Sequence, residues 1–221
     1  MERDPFFVMI GEMDPSDPIE EATLIHRDGV AYDHHDKPVT GVVVVRDEGR
    51  ISEKGPYKNG KKEGLWAVFH ESGQLSYKVI YKNGIEEGLC ESFHESGQPE
   101  GRRYFRNGKL HGPFERFYED GSLLAKGTYK DGETDGLTEV FHKNGQLYWR
   151  GNKKGGEKDG LWELFHASGE LRHSAYAVNG KGEGLWDYID ENDKLIRIET
   201  FVDDYGNLWR GNEKEVECNG K

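Results

Sequence analysis

Residues 57–75 read YKNGKKEGLWAVFHESGQL, and this stretch returns along the chain at a fixed step of 24 residues. Gly60 is followed by Gly84, Gly108, Gly132, Gly156 and Gly180, and Gly64 by Gly88, Gly112, Gly136, Gly160 and Gly184. A third series runs Gly73, Gly97, Gly121, Gly145 and Gly169. Phe69, Phe93, Phe117, Phe141 and Phe165 keep step with them, and Ile189 closes that column. Three glycine series in one register, with no insertion, identify a repeat protein in which each unit packs on its neighbours.

Each unit splits at its glycines into two strands. The first, such as Leu65 to His70 (LWAVFH), is rich in the aromatic and branched residues that suit a pleated surface. Ser72-Gly73 reads as a two-residue hairpin turn, with Asp120-Gly121 and Asn144-Gly145 in its place further on. The second strand runs from Leu75 to Tyr81, and Asn83-Gly84 turns the chain into the next unit. Such a turn sets residues whose numbers sum to 145 opposite one another in that hairpin. By the same rule Glu91 faces Arg102, Glu115 faces Lys126 and Glu139 faces Arg150. The acidic column Glu91, Glu115, Glu139, Glu163 is thus interleaved with a basic one. Trp66 and Phe69 are three apart and on a regular strand point to opposite faces. Two arrangements satisfy this: an aromatic stripe on each face, or a bulge that resets the phase.

The boundaries follow from the repeats. Residues 1–22 are an acidic lead-in carrying Pro5, Pro15 and Pro18. Residues 23–54 hold a hairpin turning at Asp28-Gly29, then a decayed repeat in which Val45 lies 24 before Phe69 and Gly49 lies 24 before Gly73. Six units fill residues 55–194, and 195–221 form a closing hairpin, FVDDYGNLW at its centre, with a tail. In the last unit Asp193 replaces the turn glycine.

Only 34% of the 221 residues are hydrophobic, yet 26 aromatics sit at registered positions, which suits a thin sheet. A net charge of −12 disfavours nucleic acid or an anionic membrane as main ligand and favours a basic protein partner or plain solubility. Cys90 and Cys218 show neither metal spacing nor a disulfide framework. The N-terminal residues are too acidic and proline-broken for a signal peptide, so the expected compartment is cytoplasmic, or periplasmic if an export signal has been trimmed.

The pattern Y-x-N-G-x-x-x-G-L-W-x-x-F-x-x-x-G-x-L over Tyr57–Leu75 resembles the MORN repeat, and more narrowly the variant of the bacterial YwqK-type antitoxin family. The likeness covers about Gly55 to Lys194, and GVAYDHHDKPVTG, within a weaker match over Ile25–Glu48, is similar to that family's lead-in segment. Lys153 and Ala177 depart from it in the Tyr57 slot, and Cys90 and Thr138 in the Trp66 slot. The resemblance implies an all-β meander of about six to eight hairpins in an elongated, twisted single-layer sheet. It also implies neutralisation of a protein toxin.

Catalytic signatures do not assemble. His70, His94, His142 and His166 step about 10 Å per unit, too far apart to share one metal ion; they read as strand-end rings packed on aromatic neighbours. His70-Glu71 begins like HExxH but runs into a turn. GPYKNGK (55–61) starts like a phosphate loop, but Lys62 stands where Ser or Thr should hold magnesium. His34-His35 between Asp33 and Asp36 reads as a solvated turn. No enzyme activity, cofactor or metal is expected. What remains is surface: Trp66, Phe114, Trp162 and Trp186 share one slot, and tryptophan is frequent among binding hot spots. A core role and a partner-binding role are both open for this column, whereas the Phe69 column reads as core. Carboxylates at Glu71, Glu86, Glu87, Glu95, Asp135, Asp159 and Glu183 either steer a basic partner or form a solvated rim.

The expected function is an immunity protein that occludes a cognate toxin from a neighbouring gene. Its binding residues are Trp66, Phe114, Trp162, Trp186, Glu91, Glu115, Glu139 and Glu163. The alternative is a scaffold that organises an assembly or self-associates.

Overall fold

The structure is a computed structural model that describes residues 18–177 and the backbone of the strands Gly184–Ile189, Leu195–Val202 and Leu208–Glu215. Residues 1–17, Glu183, Asp193, the turn of the closing hairpin and Cys218 lie outside the described residues. The chain forms two compact units. One comprises the residues up to His111 with Glu119–Gly121, the other Gly112–Tyr118 with the residues from Ser122.

In the first unit the strands Gly41–Asp47, Arg50–Lys58, Gly64–Phe69, Leu75–Lys82, Ile85–Phe93 and Pro99–Arg106 each pair antiparallel with the next. In the second, Gly112–Phe117, Leu123–Lys130, Gly136–Phe141, Leu147–Lys154, Glu157–Phe165 and Leu171–Ala177 do the same, continuing through Gly184–Ile189, Leu195–Val202 and Leu208–Glu215. This is the antiparallel hairpin meander that the repeats predict. A single 3-10 turn at Glu21–Thr23 is the only helical element among the described residues.

Two kinds of turn alternate, and they do different work. At Asn83-Gly84 both residues have positive φ (53° and 83°), the left-handed pair of a type I′ turn, which Asn and Gly tolerate best. The outward amides of such a turn find acceptors in the preceding hairpin. Gly84 N donates to Lys62 O (2.8 Å), Gly108 N to Glu86 O (3.0 Å) and Gly156 N to Thr134 O (2.9 Å). Asn83 N donates to Glu63 Oε2 (2.7 Å), Asn107 N to Glu87 Oε2 (2.8 Å) and Gly155 N to Asp135 Oδ2 (3.3 Å). Carboxylates in these turns therefore tie one repeat to the next. The first repeat has no predecessor, and the N-terminal segment substitutes for one: Gly60 N donates to Val39 O (2.7 Å) and Asn59 N to Thr40 Oγ1 (3.0 Å).

The other turn is one residue longer than the two-residue turn expected. His70 N donates to Gln74 O and Gly73 N to His70 O, both at 2.8 Å, so the loop is Glu71-Ser72-Gly73. Phe69 then faces Leu75, Ser76 is bulged out, and Val68 faces Tyr77. A longer loop shifts the register one way and the bulge shifts it back. The net result is the predicted pairing: Trp66 opposite Val79, Ala67 opposite Lys78, and the same offset through the body of each hairpin.

The core sits on the face that carries Trp66. Trp66 is 1% exposed and clusters with Tyr57, Val79, Cys90 and Val43, while Ala31 and Val39 of the N-terminal segment close over it. The hairpin Ile25–Arg27/Val30–Tyr32 turns at Asp28-Gly29 as expected, but forms its own small sheet rather than joining the row. Ile19–Glu20 pairs in parallel with Val43 and Val44, covering what is otherwise an exposed edge.

Trp66 lies flat on its neighbouring strand because that neighbour lacks a side chain. A Cβ on Gly55 would stand 2.4 Å from the indole, and one on Gly151 2.3 Å from Trp162. Gly55→Ala is expected to lower stability by about 2 kcal/mol through overpacking. A urea midpoint that does not fall relative to wild type is the contrary result.

Candidate interaction face

Strand alternation sends the two aromatic columns to opposite faces. Along Gly64–Phe69, Trp66 and Val68 face the core, while Leu65, Ala67 and Phe69 face the other way. The open alternative of a phase-resetting bulge is answered: the bulge sits on the partner strand, and both faces carry rings.

The second face is built from three registered columns. The central one is the charged ladder, in which carboxylates and cations alternate from strand to strand within each unit, interrupted by Ala67 in the first and Ser174 in the second. In the first unit Glu91 lies between Lys78 and Arg102, at 2.7 Å and 3.3 Å. In the second, Glu115 faces Lys126, Lys126 bridges to Glu139 at 2.9 Å, and Arg150 to Glu163 at 2.5 Å. Beside the ladder four of the phenylalanines lie under a cation: Lys54 over Phe69 (5.4 Å to the ring centroid), Lys78 over Phe93 (5.7 Å), Lys126 over Phe141 (5.6 Å) and Arg150 over Phe165 (5.7 Å). On the ladder's other side stand apolar side chains open to solvent. Ile80 and Tyr104 are 40% and 39% exposed in the first unit, and Leu137 and Leu161 are each 48% exposed in the second.

Lys78 and Arg102 hold the Glu91 carboxyl below its ordinary value of 4.5, the hydrogen bond from Lys78 being the largest cause. A depressed carboxylate stabilises the fold fully above its unfolded pKa, and that contribution is lost as the pH falls through the folded value.

The columns expected to bind a partner are placed differently. Trp66 and Phe114 are 1% and 8% exposed, and Trp162 is half-buried. Trp66 Nε1 donates to Pro56 O (3.0 Å), and Trp162 Nε1 to Asn152 O (3.1 Å) in the equivalent place. Each indole is capped by a lysine, Lys62 at 3.9 Å from Trp66 and Lys158 at 4.6 Å from Trp162, and Trp162 stacks on Trp149 at 4.9 Å. Phe114 packs on Tyr129 at 4.8 Å. Trp186 pairs with Ile198 along the backbone, and its side chain lies outside what is described. Glu91, Glu115, Glu139 and Glu163 lie on the opposite face, in the ladder.

The histidine slot does something that its residue type did not announce. His70 Nε2 donates to Phe93 O (2.9 Å) and His142 Nε2 to Phe165 O (3.4 Å), while Tyr118, in the same slot, donates its hydroxyl to Phe141 O (2.8 Å). A carbonyl only accepts, so the shared requirement is a ring-borne donor reaching the next repeat. The exchange of His for Tyr at position 118 is the sequence signal for this. Likewise Gly55, Gly127 and Gly151 fall in one 24-residue register, a fourth glycine series that marks where rings must lie flat. Among the described residues no three His, Cys, Asp or Glu side chains gather as metal ligands.

A family model, the MORN repeat variant, matches residues 62–83, 86–107 and 110–131. Residues 62–131 carry a MORN-repeat domain. Its matched segments each start two residues before Gly64, Gly88 or Gly112 and end at the next Asn-Gly or Asp-Gly turn, so the MORN unit and the hairpin unit coincide. Among curated proteins none matches the chain. Of solved structures, the crystal structure of the GtfA/B complex bound to UDP and GlcNAc is similar at 14% identity over 76% of this chain, with a TM-score of 0.20. The match spans 29% of that chain.

Two substitutions test this geometry. Glu91→Gln is expected to cost about 1 kcal/mol at neutral pH, a difference from wild type that shrinks as the pH is taken below 4.5; a gap that persists in acid would mean that the charge is not its source. Thr138 fills the Trp66 slot with a buried hydroxyl that has no hydrogen-bond partner among the described residues. Thr138→Val removes that unpaired group at nearly constant shape and is expected to leave the thermal midpoint unchanged or raised. A clear fall would reveal a partner for the hydroxyl.

Proposed function

We propose that this chain is a non-catalytic protein-binding scaffold whose ladder face meets its partner. The observation that carries this is the unequal treatment of the two faces in each unit. Rings and glycines interlock on one. The other leaves Ile80 and Tyr104, or Leu137 and Leu161, standing in solvent at the repeat spacing beside an ordered ladder of charge. Registered exposed apolar side chains rimmed by polar ones are the mark of an interaction surface.

The finer reading is immunity: stoichiometric occlusion of a toxin encoded beside this gene. Its support is the resemblance of residues 57–75 to the YwqK-type antitoxin repeat. The Trp66 column then acts from beneath, as the rigid support of the binding face, and Glu91, Glu115, Glu139 and Glu163 act within it.

Gel filtration of the chain alone and mixed with the adjacent gene product tests both. A complex or self-assembly that is weakened at least about tenfold by Leu137→Asp with Leu161→Asp is expected. Assembly untouched by that pair would move the interface off this face. Absence of a one-to-one complex with the neighbouring product would remove the immunity reading.

A further inference from the structure

The net charge of −12 conceals a basic row. Each second strand of the first unit ends in a cation before its Asn-Gly turn: Lys58, Lys82 and Arg106, at 24-residue spacing. Each lies four residues beyond Lys54, Lys78 or Arg102 on a regular strand, so both sets point to the ladder face. The inner set is engaged, Lys54 over Phe69 and Lys78 and Arg102 with Glu91. The outer set is exposed and has no ion pair or side-chain hydrogen bond among the described residues. Between the two sets stand Ile80 and Tyr104, the exposed apolar side chains of this unit. Lys130 and Lys154 repeat the outer position in the second unit and are exposed too.

Resting on the scaffold reading above, we infer that the first unit's ladder face binds an extended acidic segment of a protein, laid across the strands. Lys58, Lys82 and Arg106 take its carboxylates, while Ile80 and Tyr104 take apolar side chains between them. The spacing selects this class. Equivalent strands are two apart, about 9.6 Å, and three residues of extended chain advance about 10 Å, so an acidic residue at every third position meets each cation in turn. A nucleic acid carries charge far more densely, one per about 1.7 Å of duplex, and its excess phosphates would face the acidic remainder of the protein. Within a Debye length of about 10 Å the row sets the local potential whatever the net charge. The expectation drawn from composition, a basic partner, is thereby reversed for this face.

The test uses the full chain at low salt and two fluorescein-labelled peptides. One is six repeats of Glu-Ser-Gly, the other six repeats of Glu-Gly; they hold the same number of carboxylates at every third or every second position. Anisotropy is expected to show the triplet peptide binding at least about fivefold more tightly. The triple variant Lys58→Glu, Lys82→Glu, Arg106→Glu should weaken it at least about tenfold. A charge-matched control, Lys37→Glu, Lys143→Glu, Arg172→Glu, should not, with circular dichroism verifying that both fold. Equal binding of the two peptides, no binding, tighter binding of an oligothymidylate, or equal loss in the control overturns the inference. A partner complex from the preceding experiment that survives the triple variant would also overturn it while leaving the scaffold reading intact; failure of every complex would sink that reading instead.

Discussion

A type I′ turn exposes two backbone amides that its own hairpin cannot satisfy, and the fold depends on where they go. Here they go backwards, to a carbonyl and a carboxylate of the preceding hairpin, as Asn83 and Gly84 do to Glu63 and Lys62. A hydrogen bond between neutral groups is worth about 1 kcal/mol net, and one to a charged acceptor more. Leaving the donor unpaired costs more than making the bond gains. The turns at Asn83, Asn107 and Gly155 are therefore each completed by the hairpin before them, and within the first unit the row needs a starting piece. Val39 and Thr40 supply it without belonging to a repeat, which is the capping that a quasi-linear architecture requires.

Steric complementarity acts across the strands as the turns act along the chain. An indole over a glycine lets ring and backbone approach closely, and the side-chain sizes trade off from unit to unit. Trp66 sits beside Gly55, Trp162 beside Gly151 and Phe114 beside Gly127, while the small Cys90 faces Val79 and Arg103. Burial pushes the Cys90 thiol up, which keeps it a small apolar filler rather than a reactive group. Departures from the repeat pattern in this column are thus volume adjustments. They say little about which units bind.

With one face consumed by packing, the other is left open to solvent. The ladder face separates the charges that composition merely adds up: in the first unit Glu91 is matched, Glu63 and Glu87 are tied to amides of the Asn-Gly turns, and Lys58, Lys82 and Arg106 have no ion-pair partner among the described residues. An acidic protein can in this way present a cationic row. Charge balance over the whole chain governs solubility, whereas recognition reads a strip about a Debye length wide.

Much was legible in the residues alone. The step of 24, the two strands per unit and the facing pairs Glu91–Arg102, Glu115–Lys126 and Glu139–Arg150 follow from glycine spacing and the period of two, and the structure has them. The register was reached through a turn one residue too short, because a three-residue loop with a bulge and a two-residue loop without one give the same offset; only backbone hydrogen bonds tell them apart. Burial was not legible either. Trp66 and Ile80 are both large and apolar, and alternation tells that they face opposite ways but not which way is in. That was decided by what closes over one side: Gly55 beneath the indole, Lys62 above it, and the Ala31–Val39 segment folded back from outside the repeats. Local periodicity is written in neighbours along the chain, whereas the choice of inner face depends on contacts between residues far apart in sequence, and those exist only once the chain has folded.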